Sequence, residues 1–249
     1  MVQPGKIERE FGVPFPGRVL APERWTNTAL KNLPQDRPLD WQAVFGRRAP
    51  VVLELGCGNG RFLIGSALQR PDYDHVGIDA LPIVVRYAVK RANERGLKNV
   101  RFAVAEALQF LQRLVPPHSV REVHLYHPQP YDDPAEAHRR LVTPRFLALV
   151  HRALEPGGLF VVQTDNKEYW RYMQRVIPAL FEFQEHEGAW PDAPLGRTRR
   201  EIIARRRGYR IFRGTGTPRT DHSDEAIEQL LERLPAPAFR TRGKPTGRR

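Results

Sequence analysis

Val51-Val52-Leu53-Glu54-Leu55 runs straight into Gly56-Cys57-Gly58-Asn59-Gly60, and a helical pattern follows over residues 61–69, ended by Pro71. Five residues without a turn signal read as a buried strand. Glycines at its end let the backbone turn sharply and approach a ligand, at the edge of a sheet where ligand crevices form. The spacing is G-x-G-x-G, and position 61 is Arg where a dinucleotide fingerprint has its last glycine, which argues against a nicotinamide cofactor. The same alternation continues outward. Strands are expected at 75–79, 100–104, 120–126 and 159–163, and helices at 82–95, 106–113 and 139–154. Strands alternating with helices predict an α/β fold with a doubly wound, parallel sheet.

The flanks are less regular. Residues 1–48 carry Pro4, Pro14, Pro16, Pro22, Pro34 and Pro38 and read as an irregular arm draped on the core. After the main domain's last inner strand, a helix is expected over 166–177, a strand over 181–185, a loop over 188–200 and a final strand over 208–213. Asp224 to Leu234 is amphipathic, with Ile227, Leu230, Leu231 and Leu234 on one face. The chain thus divides into an arm (1–48), an α/β domain (49–214) and a basic extension (215–249) whose tail reads as disordered.

Composition narrows the function. At 249 residues and 41% hydrophobic, the chain can bury a full core. It has no long uncharged apolar run and no signal-peptide block, so a soluble, cytoplasmic protein without membrane contact is expected. Cys57 is the single cysteine and excludes an internal disulfide. The histidines lack ligand spacing, with His124 and His127 the nearest to a pair, so no metal is expected. The formal charge is +12, and residues 197–249 alone hold 15 Lys/Arg against 6 Asp/Glu. A basic field of that size concentrates polyanions, which suits nucleic acid.

Asp79 ends the second strand, 19 residues past Gly60, where a carboxylate can accept hydrogen bonds from ribose hydroxyls. Glu106 follows the third strand and reads either as an adenine contact or as an acid in the first turn of a helix. With Glu54, Gly56, Gly58 and Gly60, these residues specify a nucleoside ligand. They resemble the class I S-adenosylmethionine methyltransferases, which implies a Rossmann-like sheet, with Glu54 near the methionine end of the cofactor, Asp79 on its ribose and Glu106 near its adenine.

Four further segments follow in order: His127-Pro128-Gln129-Pro130-Tyr131, His138-Arg139-Arg140 through Phe146, Glu155-Pro156-Gly157-Gly158, and Gln163-Thr164-Asp165-Asn166. The succession resembles the bacterial tRNA (guanine-N7)-methyltransferases, with their Pro-Asp-Pro-Trp loop, basic cluster, Pro-Gly-Gly turn and Thr-Asp pair. The family's late Thr-x-x-Glu is matched by Thr198-Arg199-Arg200-Glu201. The resemblance implies methyl transfer from S-adenosylmethionine to guanine N7 in tRNA, with Asp165, Thr198 and Glu201 on the guanosine. The arginines of 197–213 would hold the tRNA backbone. Arg139 and Arg140 read as phosphate clamps at the start of a helix, or as a solvated helix end. Two departures stand out. Gln129 replaces the loop acid at the catalytic position, and Asp133 replaces the lysine four residues later. Another acceptor, or an RNA-binding paralogue with impaired catalysis, are therefore alternative readings.

Overall fold

The computed structural model describes residues 4–240, and its elements follow in chain order. They are β1 (Arg9–Glu10), β2 (Val13–Pro14), α1 (Trp41–Phe45), β3 (Val51–Leu55), α2 (Arg61–Gln69), β4 (Asp74–Asp79), α3 (Pro82–Asn93), β5 (Val100–Val104) and α4 (Ala107–Arg113). Next come β6 (Val120–Tyr126), α5 (Pro144–Ala153), β7 (Leu154–Thr164), α6 (Lys167–Val176), β8 (Phe181–His186), α7 (Arg199–Arg206), β9 (Phe212–Pro218) and α8 (Asp224–Arg233).

Every residue of β3 is buried, as a strand covered on both faces requires. It lies mid-sheet in the order β5-β4-β3-β6-β7-β9-β8. The pairs from β5 through β7 are parallel, while β9 runs antiparallel to β7 and β8 antiparallel to β9. The expected doubly wound, Rossmann-like sheet is thus present. The chain leaves β3 toward β4 on one side and returns to β6 on the other, so the topological switch point lies between β3 and β6. Among the described residues no helix is long and apolar enough to cross a membrane.

Several boundaries differ from expectation for identifiable reasons. The helix expected over 139–154 starts only at Pro144, because Thr143 caps it by accepting a hydrogen bond from the Phe146 amide at 3.1 Å and proline suits the first turn. Residues Pro134–Arg139 form a separate 3-10 turn. The loop expected over 188–200 gives way to α7 at Arg199, and the strand expected at 208–213 is displaced to 212–218. Gly214 and Gly216 make that strand possible, since a Cβ there would lie 2.3 Å and 2.9 Å from the side chains of Phe183 and Phe181.

The arm follows the outer edge of β5. Leu30 N donates to Phe102 O, Phe102 N donates to Thr28 O, and Ala29 bridges Phe102 in parallel. These bonds occupy an edge that would otherwise offer unpaired donors and acceptors. At the other end, α8 packs on α5. The chain beyond it is packed as far as the described residues go: the Phe239 ring lies 5.0 Å from Tyr169 and 5.9 Å from Tyr172. The rest of the expected disordered tail lies outside the described residues.

Candidate active site

At the carboxyl end of β3, Glu54 is buried with its Oε2 lacking any hydrogen-bond partner among the described residues. An orphaned buried carboxylate oxygen is costly unless something completes it. Burial first, and the neighbouring Asp79 second, push the Glu54 carboxyl well above the usual carboxylate range, while Arg197 pulls the other way. Beyond it the chain turns through Gly56 and Gly58, at φ +79° and +51°, and a Cβ on either would point into open space. The loop is fixed from below: Gly56 N and Cys57 N both donate to Ile78 O, at 2.9 and 2.8 Å.

Asp79 ends β4 and holds the same loop. Its Oδ2 accepts from Gly58 N at 3.0 Å and its Oδ1 from Leu81 N at 2.9 Å. Each oxygen retains a second lone pair for another donor. Glu54, Gly56, Gly58, Tyr126, Thr198 and Arg200 line one cleft of about 340 Å³. Of the other residues expected on the cofactor, Gly60, Asp79 and Glu106 are outside this lining; Asp79 adjoins it through Gly58, while Glu106 stands exposed at the N-cap of α4 with no capping hydrogen bond from its side chain.

Across the cleft, β6 supplies a polar ladder. Glu122, His124 and Tyr126 alternate along the strand and so share one face. His124 Nε2 lies 2.8 Å from Glu122, its Nδ1 lies 2.9 Å from the Tyr126 hydroxyl, and that hydroxyl accepts from Arg197 Nη1 at 2.8 Å. Burial holds His124 down at about 4 despite its Glu122 partner, so it is neutral at physiological pH.

Beyond β7, one hydrogen-bond network fixes the directions of its members. Trp190 Nε1 can only donate, and it bonds Gln163 Oε1 at 2.6 Å. The Gln163 amide nitrogen therefore faces the other way, donating to Glu201 Oε2 at 3.1 Å and to His127 Nε2 at 2.9 Å. His127 Nε2 is then an acceptor, and its Nδ1–H donates to Asp165 Oδ1 at 2.9 Å. Arg200 reaches the other Asp165 oxygen at 2.5 Å. Burial would raise the Asp165 carboxyl, but the His127 and Arg200 hydrogen bonds outweigh it and hold the group at about 2.

The model of a family described as putative methyltransferase matches residues 48–213. The tRNA (guanine-N7)-methyltransferase of Alkalilimnicola ehrlichii is 33% identical over 191 residues, covering 76% of this chain and 81% of that protein. The enzyme of the same name from Alcanivorax borkumensis is 35% identical over 176 residues, covering 71% and 74%. The chain belongs to the tRNA (guanine-N7)-methyltransferase family. The crystal structure of the 16S rRNA methyltransferase KamB is similar in fold, with a TM-score of 0.54 at 21% identity over 77% of this chain and 98% of that one.

The family's Thr-x-x-Glu is here the N-terminal cap of α7, with Thr198 Oγ1 accepting from Glu201 N at 3.1 Å. Glu201 is fully buried and already engaged: Arg213 Nη2 donates to it at 2.6 Å and Arg197 N at 2.9 Å. Thr198 lines the cleft, whereas Glu201, expected on the guanosine, is outside the lining with its carboxylate taken up by the protein. Gln129 stands exposed on the loop after β6, outside the cleft lining. In that loop His127 and Tyr131 have φ of +51° and +48°, a strained conformation for such side chains.

The arginines divide in two. Arg140, expected to reach phosphate, is buried: it donates to the carbonyls of Pro130, Tyr131 and Pro237, with its guanidinium 3.8 Å over the Phe239 ring. Arg197 and Arg213, included among the backbone-binding arginines, are likewise spent inside the protein. Arg139 is exposed, pairs with Glu136 and lies 4.7 Å over the Tyr131 ring. Arg199, Arg200, Arg205, Arg206, Arg207 and Arg210 are exposed.

His127 and Gln163 stand out in the sequence only as members of motif segments, and Trp190 not at all. Their importance rests on contacts across 27 to 38 residues, and no local spacing carries that signal.

Proposed function

We propose that the chain transfers the methyl group of S-adenosylmethionine to N7 of a guanine in tRNA, in the cytoplasm. The observation that carries the reading is the orphaned Glu54 oxygen, set beside the open glycine turn in a cleft that Thr198 and Arg200 also line. A buried carboxylate short of a donor fits an ammonium group such as that of the cofactor's methionine end. Asp79, with lone pairs to spare, fits the ribose hydroxyls. Glu106, exposed at the N-cap of α4 and outside the cleft lining, would accept from the adenine edge of a cofactor reaching past that lining. When bound, the cofactor supplies an electrophilic methyl group on a sulfonium.

Guanine N7 carries a lone pair at neutral pH, so no base needs to remove a proton before attack. Transfer would form the N7–C bond as the cofactor's C–S bond broke, leaving a neutral thioether on the cofactor and positive charge on the base. The protein's part is to position the guanine and accommodate that charge. Asp165, kept ionised by His127 and Arg200, stands at the carboxyl end of β7, where its charge reaches the base once Arg200 turns to a phosphate. Thr198 offers its hydroxyl to the guanosine, and Gln129 orients the base through its amide. The exposed arginines of α7 and the following turn, together with Arg139, contact the tRNA backbone.

The test is to incubate unmodified tRNA with the protein and isotopically labelled cofactor, and then to digest the RNA to nucleosides. Label is expected in 7-methylguanosine. A labelled product of any other kind supports the second reading, a different acceptor. That reading is favoured by Gln129, and by Asp133 spending its carboxylate on the Ala135 amide at 2.9 Å.

A further inference from the structure

The arm contains a two-residue hairpin, with Glu10 paired to Val13 and Phe11-Gly12 at the tip. Both tip residues have positive φ, +47° and +76°, the mark of a type I′ turn. Such turns favour Asn, Asp or Gly at the first position. A phenylalanine there is strained and leaves its ring 40% exposed.

The hairpin is firmly anchored. Glu10 is buried; one oxygen accepts from Asn59 Nδ2 at 2.6 Å and pairs with Arg91 at 3.2 Å, and the other pairs with Arg61 at 3.3 Å. Asn59 lies between Gly58 and Gly60, so the arm is tied to the glycine loop itself. Behind the tip, the buried Phe15 ring lies under the guanidiniums of Arg91 and Arg95, at 4.4 and 4.7 Å. The tip is held against α7, where the guanidiniums of Arg199 and Arg206 lie 5.2 and 5.9 Å from the Phe11 ring centre. Both arginines are exposed, and Arg199 also lines the cleft.

An exposed aromatic ring beside two guanidiniums of α7, one of which lines the cleft, offers the combination of stacking face and cations on which unpaired bases are held. We propose that Phe11 is a base-stacking contact for the tRNA, receiving a nucleobase that flanks the methylated guanosine while Arg199 and Arg206 meet the adjacent phosphates. The proposal rests on the tRNA reading above. The strain at Phe11 follows from it: a ring is kept at a turn position better suited to asparagine because the ring does the binding.

The decisive variant is Phe11→Asn, which gives the turn its favoured residue and removes the ring. It is expected to melt at or above the parent temperature and to bind S-adenosylmethionine as the parent does in calorimetry. Its Kd for an unmodified tRNA transcript, read by fluorescence anisotropy, is expected to rise about 5- to 30-fold. Phe11→Trp is expected to keep the parent's tRNA affinity. Tight tRNA binding by Phe11→Asn, within twofold of the parent, overturns the proposal while 7-methylguanosine formation by the parent leaves the tRNA reading intact. A lowered melting temperature together with lost cofactor affinity also overturns it, since Phe11 is then a structural prop. Failure of the parent protein to bind tRNA at all removes both.

Discussion

Glu54 carries two opposed roles in one carboxylate. Its folded-state pKa lies above the unfolded value of about 4.5, so the neutral form suits the apo fold. As pH rises past that value the unfolded chain ionises while the folded one resists, and stability falls until the raised value is passed. Glu54→Gln is therefore expected to stabilise the apo protein by about 1–2 kcal/mol at neutral pH, a few degrees in Tm, with the gain vanishing below about pH 4. The same change is expected to weaken binding of the cofactor's ammonium about tenfold or more. Melting curves across pH, paired with calorimetry, check both signs; a variant that is less stable and binds equally well contradicts the assignment. Gln129 offers a second test at this scale. If the amide stabilises the developing cationic base less well than a carboxylate, Gln129→Asp is expected to raise kcat about tenfold. An unchanged or lowered kcat in single-turnover kinetics shows that position 129 needs no charge.

Among the elements, α7 and the segment before α5 show how charged residues mislead and inform. Arg140 sits in a cluster that reads as a phosphate clamp, yet three carbonyls and an aromatic face consume its guanidinium. Arg140→Ala is expected to cost about 2–4 kcal/mol, by leaving buried carbonyls unpaired, and to leave the tRNA affinity of the folded protein within twofold. A stable variant with weakened tRNA binding would restore the clamp. Thr198-x-x-Glu201 is a helix-start signal in the sequence, but the arginines around it read as loop, and α7 was hidden by composition. The β9 strand was hidden by Gly214 and Gly216, which weaken any strand pattern; only the proximity of Phe181 and Phe183 explains them.

For the molecule as a whole, the central sheet was legible because its information is local: apolar runs, glycine turns and helix stops recur at the period of βα units. The grouping of Glu54, the glycines and Asp79 was legible for the same reason, since they lie at strand ends. The network of Gln163, Trp190, Arg197 and Arg213 was not, because most of its bonds join residues distant in sequence. The arm was read as drapery, and in the structure it both occupies the β5 edge and ties Glu10 to the glycine loop. The glycine loop and α7 thus line one cleft, and the arm is tied to both beside it, with a basic outer face. Binding to tRNA is accordingly expected to weaken steeply with salt, and a flat dependence between about 50 and 200 mM would mean that the exposed arginines do not engage phosphates.

The central claim is that the cleft at the carboxyl ends of β3 and β4 holds S-adenosylmethionine, with Asp79 on its sugar. Isothermal calorimetry of that compound against the folded protein and its Asp79→Asn variant tests it most directly. One-site binding is expected for the parent, with affinity reduced about tenfold or more in the variant. No binding to the parent, or equal binding by the two, would contradict the account.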